Sequence, residues 1–107
     1  MTAGFSTCRN KGFHIRFPNG LTLSTQFGGG NYGSNYDAEI GSTRDHEAEV
    51  VELAVFETAA TRGKWRTQEI AKAAGLPDPG DGVMGYVPFE NWLKMFDATR
   101  NAAKVEG

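Results

Sequence analysis

Residues 12–27 read as two β-strands joined by a tight turn, and this pattern constrains the fold more than any other feature of the chain. Phe13, Ile15 and Phe17 alternate with His14 and Arg16, and Leu21, Leu23, Thr25 and Phe27 alternate with Thr22, Ser24 and Gln26. A period of two gives each strand one apolar face. Between the strands, Pro18 presets φ at the first central position of a turn, Asn19 tolerates the second, and Gly20 accepts a positive φ.

The rest of the chain supplies further strands and a cover for that face. In residues 49–57, Val51, Leu53 and Val55 share one side, while Val50, Ala54 and Phe56 with Glu52 make the other partly apolar, as in a central strand covered on both faces. Residues 58–63 read as a hairpin loop returning through Lys64, Trp65 and Arg66, with Trp65 pointing inward. Thr67 is placed to N-cap a short helix over residues 68–74, which Gly75 stops and Pro77 and Pro79 cannot continue. Residues 83–87 read as a short strand, and Pro88 suits the first turn of a helix over 89–103. Phe89, Trp92, Leu93 and Phe96 fall on one stripe, opposite Glu90, Asn91, Lys94 and Asp97. The expected fold is α+β: a small antiparallel sheet of four or five strands packed against the C-terminal helix, with Trp92 and Phe96 buried, plus one short helix. A chain of 107 residues has room for one such domain. Residues 1–10 and 104–107 are expected to be flexible.

Charge narrows the function. Eleven Lys and Arg against 13 Asp and Glu leave a formal net charge of −2, which offers no long-range attraction to phosphate backbones or anionic lipid. Strong direct DNA binding is therefore not expected. Cys8 is the single cysteine, so no internal disulfide forms and thiolate-rich zinc sites are excluded, as suits a cytoplasmic protein. The first ten residues lack the apolar stretch of a secretory leader, and no later window approaches the ~18–20 apolar residues of a membrane span.

The longest segment without periodicity, residues 28–47, carries the candidate chemistry. Gly28-Gly29-Gly30-Asn31-Tyr32-Gly33 matches G-x-G-x-x-G after a strand, but a dinucleotide site needs a helix next, and Ser34-Asn35-Tyr36-Asp37 has no helical stripe. No Gly-Lys-Ser/Thr follows, so no P-loop and no cofactor is expected. Asn31, Tyr32, Asn35 and Tyr36 instead combine adaptable amides with rigid amphipathic rings, the chemistry of contact loops. With Asp37, Glu39, Asp45 and Glu47 they form the candidate partner-binding surface; the competing reading has them serving turn geometry and covering the sheet edge. Residues 66–77 resemble the opening of a helix-turn-helix unit, yet Asp78-Pro79-Gly80-Asp81-Gly82 is acidic and breaks the helix where a recognition helix should follow. His14, His46, Asp37, Asp45, Glu47 and Glu49 show no metal-ligand spacing, and neither Cys8 nor the pair Glu90 and Asp97 forms a catalytic constellation. No catalytic or metal-binding residue is expected.

Three stretches, residues 12–20, 26–32 and 85–88 before the last helix, resemble short uncharacterised proteins of bacteriophages and prophages over roughly half of the chain. The resemblance lies in strand, turn and loop wording and assigns no site residue. It implies an accessory factor, such as an inhibitor of host defence of the anti-CRISPR type, which acts by binding a bacterial protein or nucleoprotein complex. The leading expectation is thus a non-enzymatic binding protein, with a homodimer left open by its exposed aromatics. The alternatives are a small transcriptional regulator using residues 66–77 and a small enzyme acting on a nucleotide or another phosphate-bearing ligand.

Overall fold

A computed structural model describes residues 3–8, 11–38, 47–60 and 64–106. It shows an α+β fold in two layers. Five antiparallel strands, β1 (Gly4–Thr7), β2 (Gly12–Arg16), β3 (Leu21–Gln26), β4 (Val50–Glu57) and β5 (Met84–Pro88), lie in sequential order. Two helices, α1 (Thr67–Ala73) and α2 (Phe89–Asn101), cover one face of that sheet. Among the described residues, no helix is long and apolar enough to cross a membrane.

The β2–β3 hairpin forms as its alternation requires, with Ile15 opposite Leu23 and Phe13 opposite Thr25. Its turn closes through the Phe17 amide donating to Leu21 and the Gly20 amide donating to Phe17, and Gly20 takes a φ of 89°. Asn19 in that turn has a second task. Its amide donates to the Thr99 and Ala102 carbonyls at 2.7 and 3.2 Å, satisfying orphan acceptors at the C-terminus of α2, while its own carbonyl accepts from Val105. Val105, within the 104–107 tail, is thereby itself tied to the hairpin turn. At the other end of the chain, residues 4–7 pair with β2 as an edge strand.

The core is Leu21, Leu23, Leu53, Val55, Ile70, Ala71, Val87 and Met95, all at or near full burial. β4 is internal, as its pattern implied, but its second face is not covered by another layer. Where β5 stops pairing at Leu53, residues 64–67 take over the edge: Trp65 bridges Phe56, and the Arg66 amide donates to Val55. Trp65 does not turn inward. It stands half-exposed on the open face, edge-on to Phe56 and seated on Gly82, where a Cβ would come within 2.7 Å of the indole.

Both helices depart from expectation in an informative way. Thr67 is the first residue of α1 rather than its cap; its hydroxyl accepts from the Val55 amide and donates to the Gly82 carbonyl at 2.9 and 2.7 Å. α1 ends at Gly75 with φ 74°, the Gly75 amide donating to Lys72 and the Leu76 amide to Ala71, which is a Schellman ending. A loop and then β5 follow, so no recognition helix stands next to α1. In α2 the buried stripe begins one turn later along the helix: Met95 and Thr99 are fully buried, Trp92 and Phe96 half-buried, and Phe89 and Leu93 exposed. Trp92 rests on the sheet through its indole N–H, which donates to the Thr25 hydroxyl at 2.7 Å.

Candidate functional site

The glycine-rich loop is a cross-braced structure. No helix follows Gly33, so the arrangement a pyrophosphate requires is absent from residues 28–38. Asn31 is buried: its Oδ1 accepts from the Gly28 amide, and its Nδ2 donates to Gln26 at 3.1 Å and to Glu52 at 2.8 Å. Asn35 donates to the carbonyls of Phe27 and Glu47, tying both ends of the segment together. The hydroxyl of Ser34 accepts from the amides of Glu49 and Val50. Gly33 lies so close to β4 that a Cβ would meet the Val50 carbonyl oxygen at 2.6 Å. Both asparagines, contact residues in the sequence reading, thus commit their amide donors to bracing the loop against the sheet and its own ends.

The tyrosines behave differently. Tyr32 and Tyr36 stack with ring centroids 5.6 Å apart and planes 8° from parallel, and Tyr86 joins them at 6.2 Å from Tyr32. They are 48%, 45% and 56% exposed, so the group presents a continuous aromatic surface to solvent.

A bulge brings Tyr86 there. Met84 pairs with Leu53 and Val87 with Val51, so Gly85 and Tyr86 together oppose the single residue Glu52. One extra residue bends the strand and re-aims a side chain. Tyr86 takes a φ of 50°, in the left-handed region that costs a non-glycine residue of order 1–3 kcal/mol. Its amide donates to the Tyr32 carbonyl at 2.7 Å, and Gly85 leaves room for the Tyr32 side chain, whose Cβ would lie 3.0 Å from one added at Gly85. Asp37, Glu47 and Glu49 are exposed in the same part of the chain. Between residues 27 and 60 the described residues include five carboxylates and no lysine or arginine. Glu39, Asp45 and His46 lie outside the described residues.

A second feature lies on the uncovered face of the sheet. His14, Ser24 and Ala54 form one cross-strand row, and Gln26 and Glu52 pair in the next but one toward the loop. With Phe56 and Trp65 at the opposite end they line a depression of about 360 Å³. Gln26 donates to the thiol of Cys8 and the hydroxyl of Ser24. The sequence placed His14 on a solvent face. It is half-buried there, edge-on to Phe56, and burial first, then the nearby Arg16 charge, lowers its pKa below 6.5. The native state therefore binds a proton less readily than the unfolded chain. Stability should be fully present above pH 6.5 and fall as the pH drops through the lowered native value, a slope that His14→Gln should reduce in urea titrations at pH 7 and pH 5.

No family model matches this chain, nor does any curated protein or solved structure. Among the described residues no group of His, Cys, Asp and Glu is arranged to hold a metal ion.

Proposed function

We propose that this chain is a non-enzymatic binding protein of the phage accessory type, which engages a bacterial protein or nucleoprotein complex through Tyr32, Tyr36 and Tyr86. One observation carries the reading: three solvent-facing tyrosines from two separate segments are gathered by a bulge whose backbone is held in an unfavourable region. Aromatic side chains with few rotatable bonds provide contact area at low entropic cost, and interface hot spots are enriched in them. The exposed carboxylates of the same part of the chain, Asp37, Glu47 and Glu49, favour a basic patch on the partner and disfavour nucleic acid itself. The link to host-defence inhibition rests on the resemblance to phage proteins.

The test uses the tagged chain as bait in bacterial lysate, followed by an affinity measurement on the recovered complex. Tyr32→Ala with Tyr36→Ala should weaken binding by at least about 2 kcal/mol, or some thirtyfold, as loss of hot-spot anchors does. Thermal stability should change little, because exposed substitutions shift it by about 0.5 kcal/mol or less. A double variant that unfolds would assign the rings to the fold, and one that binds undiminished would place the contact elsewhere.

A further inference from the structure

The uncovered sheet face carries a depression that neither folding nor the tyrosine surface accounts for. Its floor is made by the small side chains of Ser24 and Ala54, which leave space between taller walls. At one end Phe56 stands edge-on to both His14 and Trp65, giving an aromatic wall. At the other, Gln26 and Glu52 present a polar edge that Asn31 holds in place with bonds to both. The volume of about 360 Å³ is at the small end of the roughly 300–1,000 Å³ typical of ligand sites and suits a single heteroaromatic ring system.

We infer that this depression is a binding site for a nucleobase, with guanine the best fit. A flat ring lying on Ser24 and Ala54 would meet aromatic walls on one side and the Gln26–Glu52 edge on the other. The free valences decide which base. The Gln26 amide nitrogen is already engaged by Cys8 and Ser24, and its oxygen accepts from Asn31. Glu52 Oε2 accepts from Asn31, and among the described residues no donor reaches Oε1. The polar edge therefore offers carboxylate acceptors, and the ligand must bring donors. A carboxylate accepts only, and guanine presents adjacent N–H donors at its N1 and N2. Uracil offers one N–H between two carbonyls, which would face the carboxylate unfavourably. The lining contains no lysine or arginine, so recognition falls on the base rather than on phosphate.

The base could arrive as a free nucleoside or within a single strand. Titration of the isotope-labelled full chain with guanosine, uridine and a short guanine-containing DNA strand separates these sources. Guanosine should give saturable amide and indole shifts centred on His14, Glu52 and Trp65, at least tenfold tighter than uridine. Glu52→Gln keeps an acceptor for Asn31 but removes the charge, and it should weaken guanosine tenfold or more without changing the melting temperature. Trp65→Ala, at an exposed position, should weaken it too. A strand binding tenfold tighter than guanosine would make single-stranded nucleic acid the source; equal or weaker binding would make it the free nucleoside. Absence of saturable shifts at millimolar guanosine, equal response to uridine, or shifts that Glu52→Gln leaves intact would each overturn the assignment.

Discussion

Met95→Ala should lower the stability of this protein by about 2–5 kcal/mol, the range for a buried methionine truncated in a core. Met95 is fully inaccessible on α2 and packs into the cluster formed by Leu23, Leu53, Val55 and Ile70, so its removal leaves a cavity bounded by both helices and the sheet. The more conspicuous aromatic residues of the same helix should matter less. Trp92→Ala would ordinarily be assigned about 3–5 kcal/mol on the assumption of full burial. Here the indole is only half-buried, and one of its faces stacks on Phe89, which is itself 68% exposed. Leu93→Ala should stay within about 0.5 kcal/mol, as for a surface position. Urea denaturation of the three variants at constant slope would establish the order; a Trp92→Ala loss exceeding that of Met95→Ala would show that the helix is rotated from the orientation described.

That ranking also marks what periodicity can and cannot reveal. The spacing of Phe89, Trp92, Leu93 and Phe96 identified a helix and its approximate side correctly. Trp92, Met95, Phe96 and Thr99 repeat the same spacing one turn later, and it is this second stripe that meets the sheet. A large aromatic at the first turn outweighs a methionine in any hydrophobic count, whereas burial depends on where the helix axis crosses the strands. The β2–β3 hairpin was legible because its information is local: alternation and a Pro-Asn-Gly turn act within sixteen residues.

The tyrosine surface was half legible. Tyr32 and Tyr36 stand in one loop and could be singled out together, but Tyr86 joins them through a bulge opposite Glu52, a matter of register between β4 and β5. Asn31 and Asn35 were read as contact residues because amides in loops often serve that purpose. Their bonds to Glu52, Gln26, Phe27 and Glu47 reach across the fold, and no local pattern encodes them. The depression on the open face was missed for the same reason. Cys8, His14, Gln26 and Glu52 come from three strands and the turn before one of them, and each looked solitary in sequence.

Thr67 shows the same non-locality with a large energetic consequence. A threonine before a run of helix formers is an N-cap by local rules, and its replacement would then cost about 1 kcal/mol. In the structure the hydroxyl sits where the β4–β5 ladder ends, accepting from the Val55 amide and donating to the Gly82 carbonyl, and the residue is fully buried. It substitutes for the missing neighbour strand and ties α1, β4 and the loop before β5 together. Thr67→Val keeps the shape and removes both bonds, stranding a buried donor and an acceptor at about 1–3 kcal/mol each. The expected loss is about 2–6 kcal/mol, well above a capping effect. Thr67→Ser is the matched control, because serine retains the hydroxyl, is at least as good an N-cap as threonine and loses only a buried methyl. It should recover most of the stability, with a deficit of about 1 kcal/mol from the missing methyl. Hydrogen exchange at the Val55 amide gives the residue-level readout. Protection there should collapse in Thr67→Val and persist in Thr67→Ser, whereas a simple capping role would leave Val55 protected in both and move only the amides of the first turn of α1.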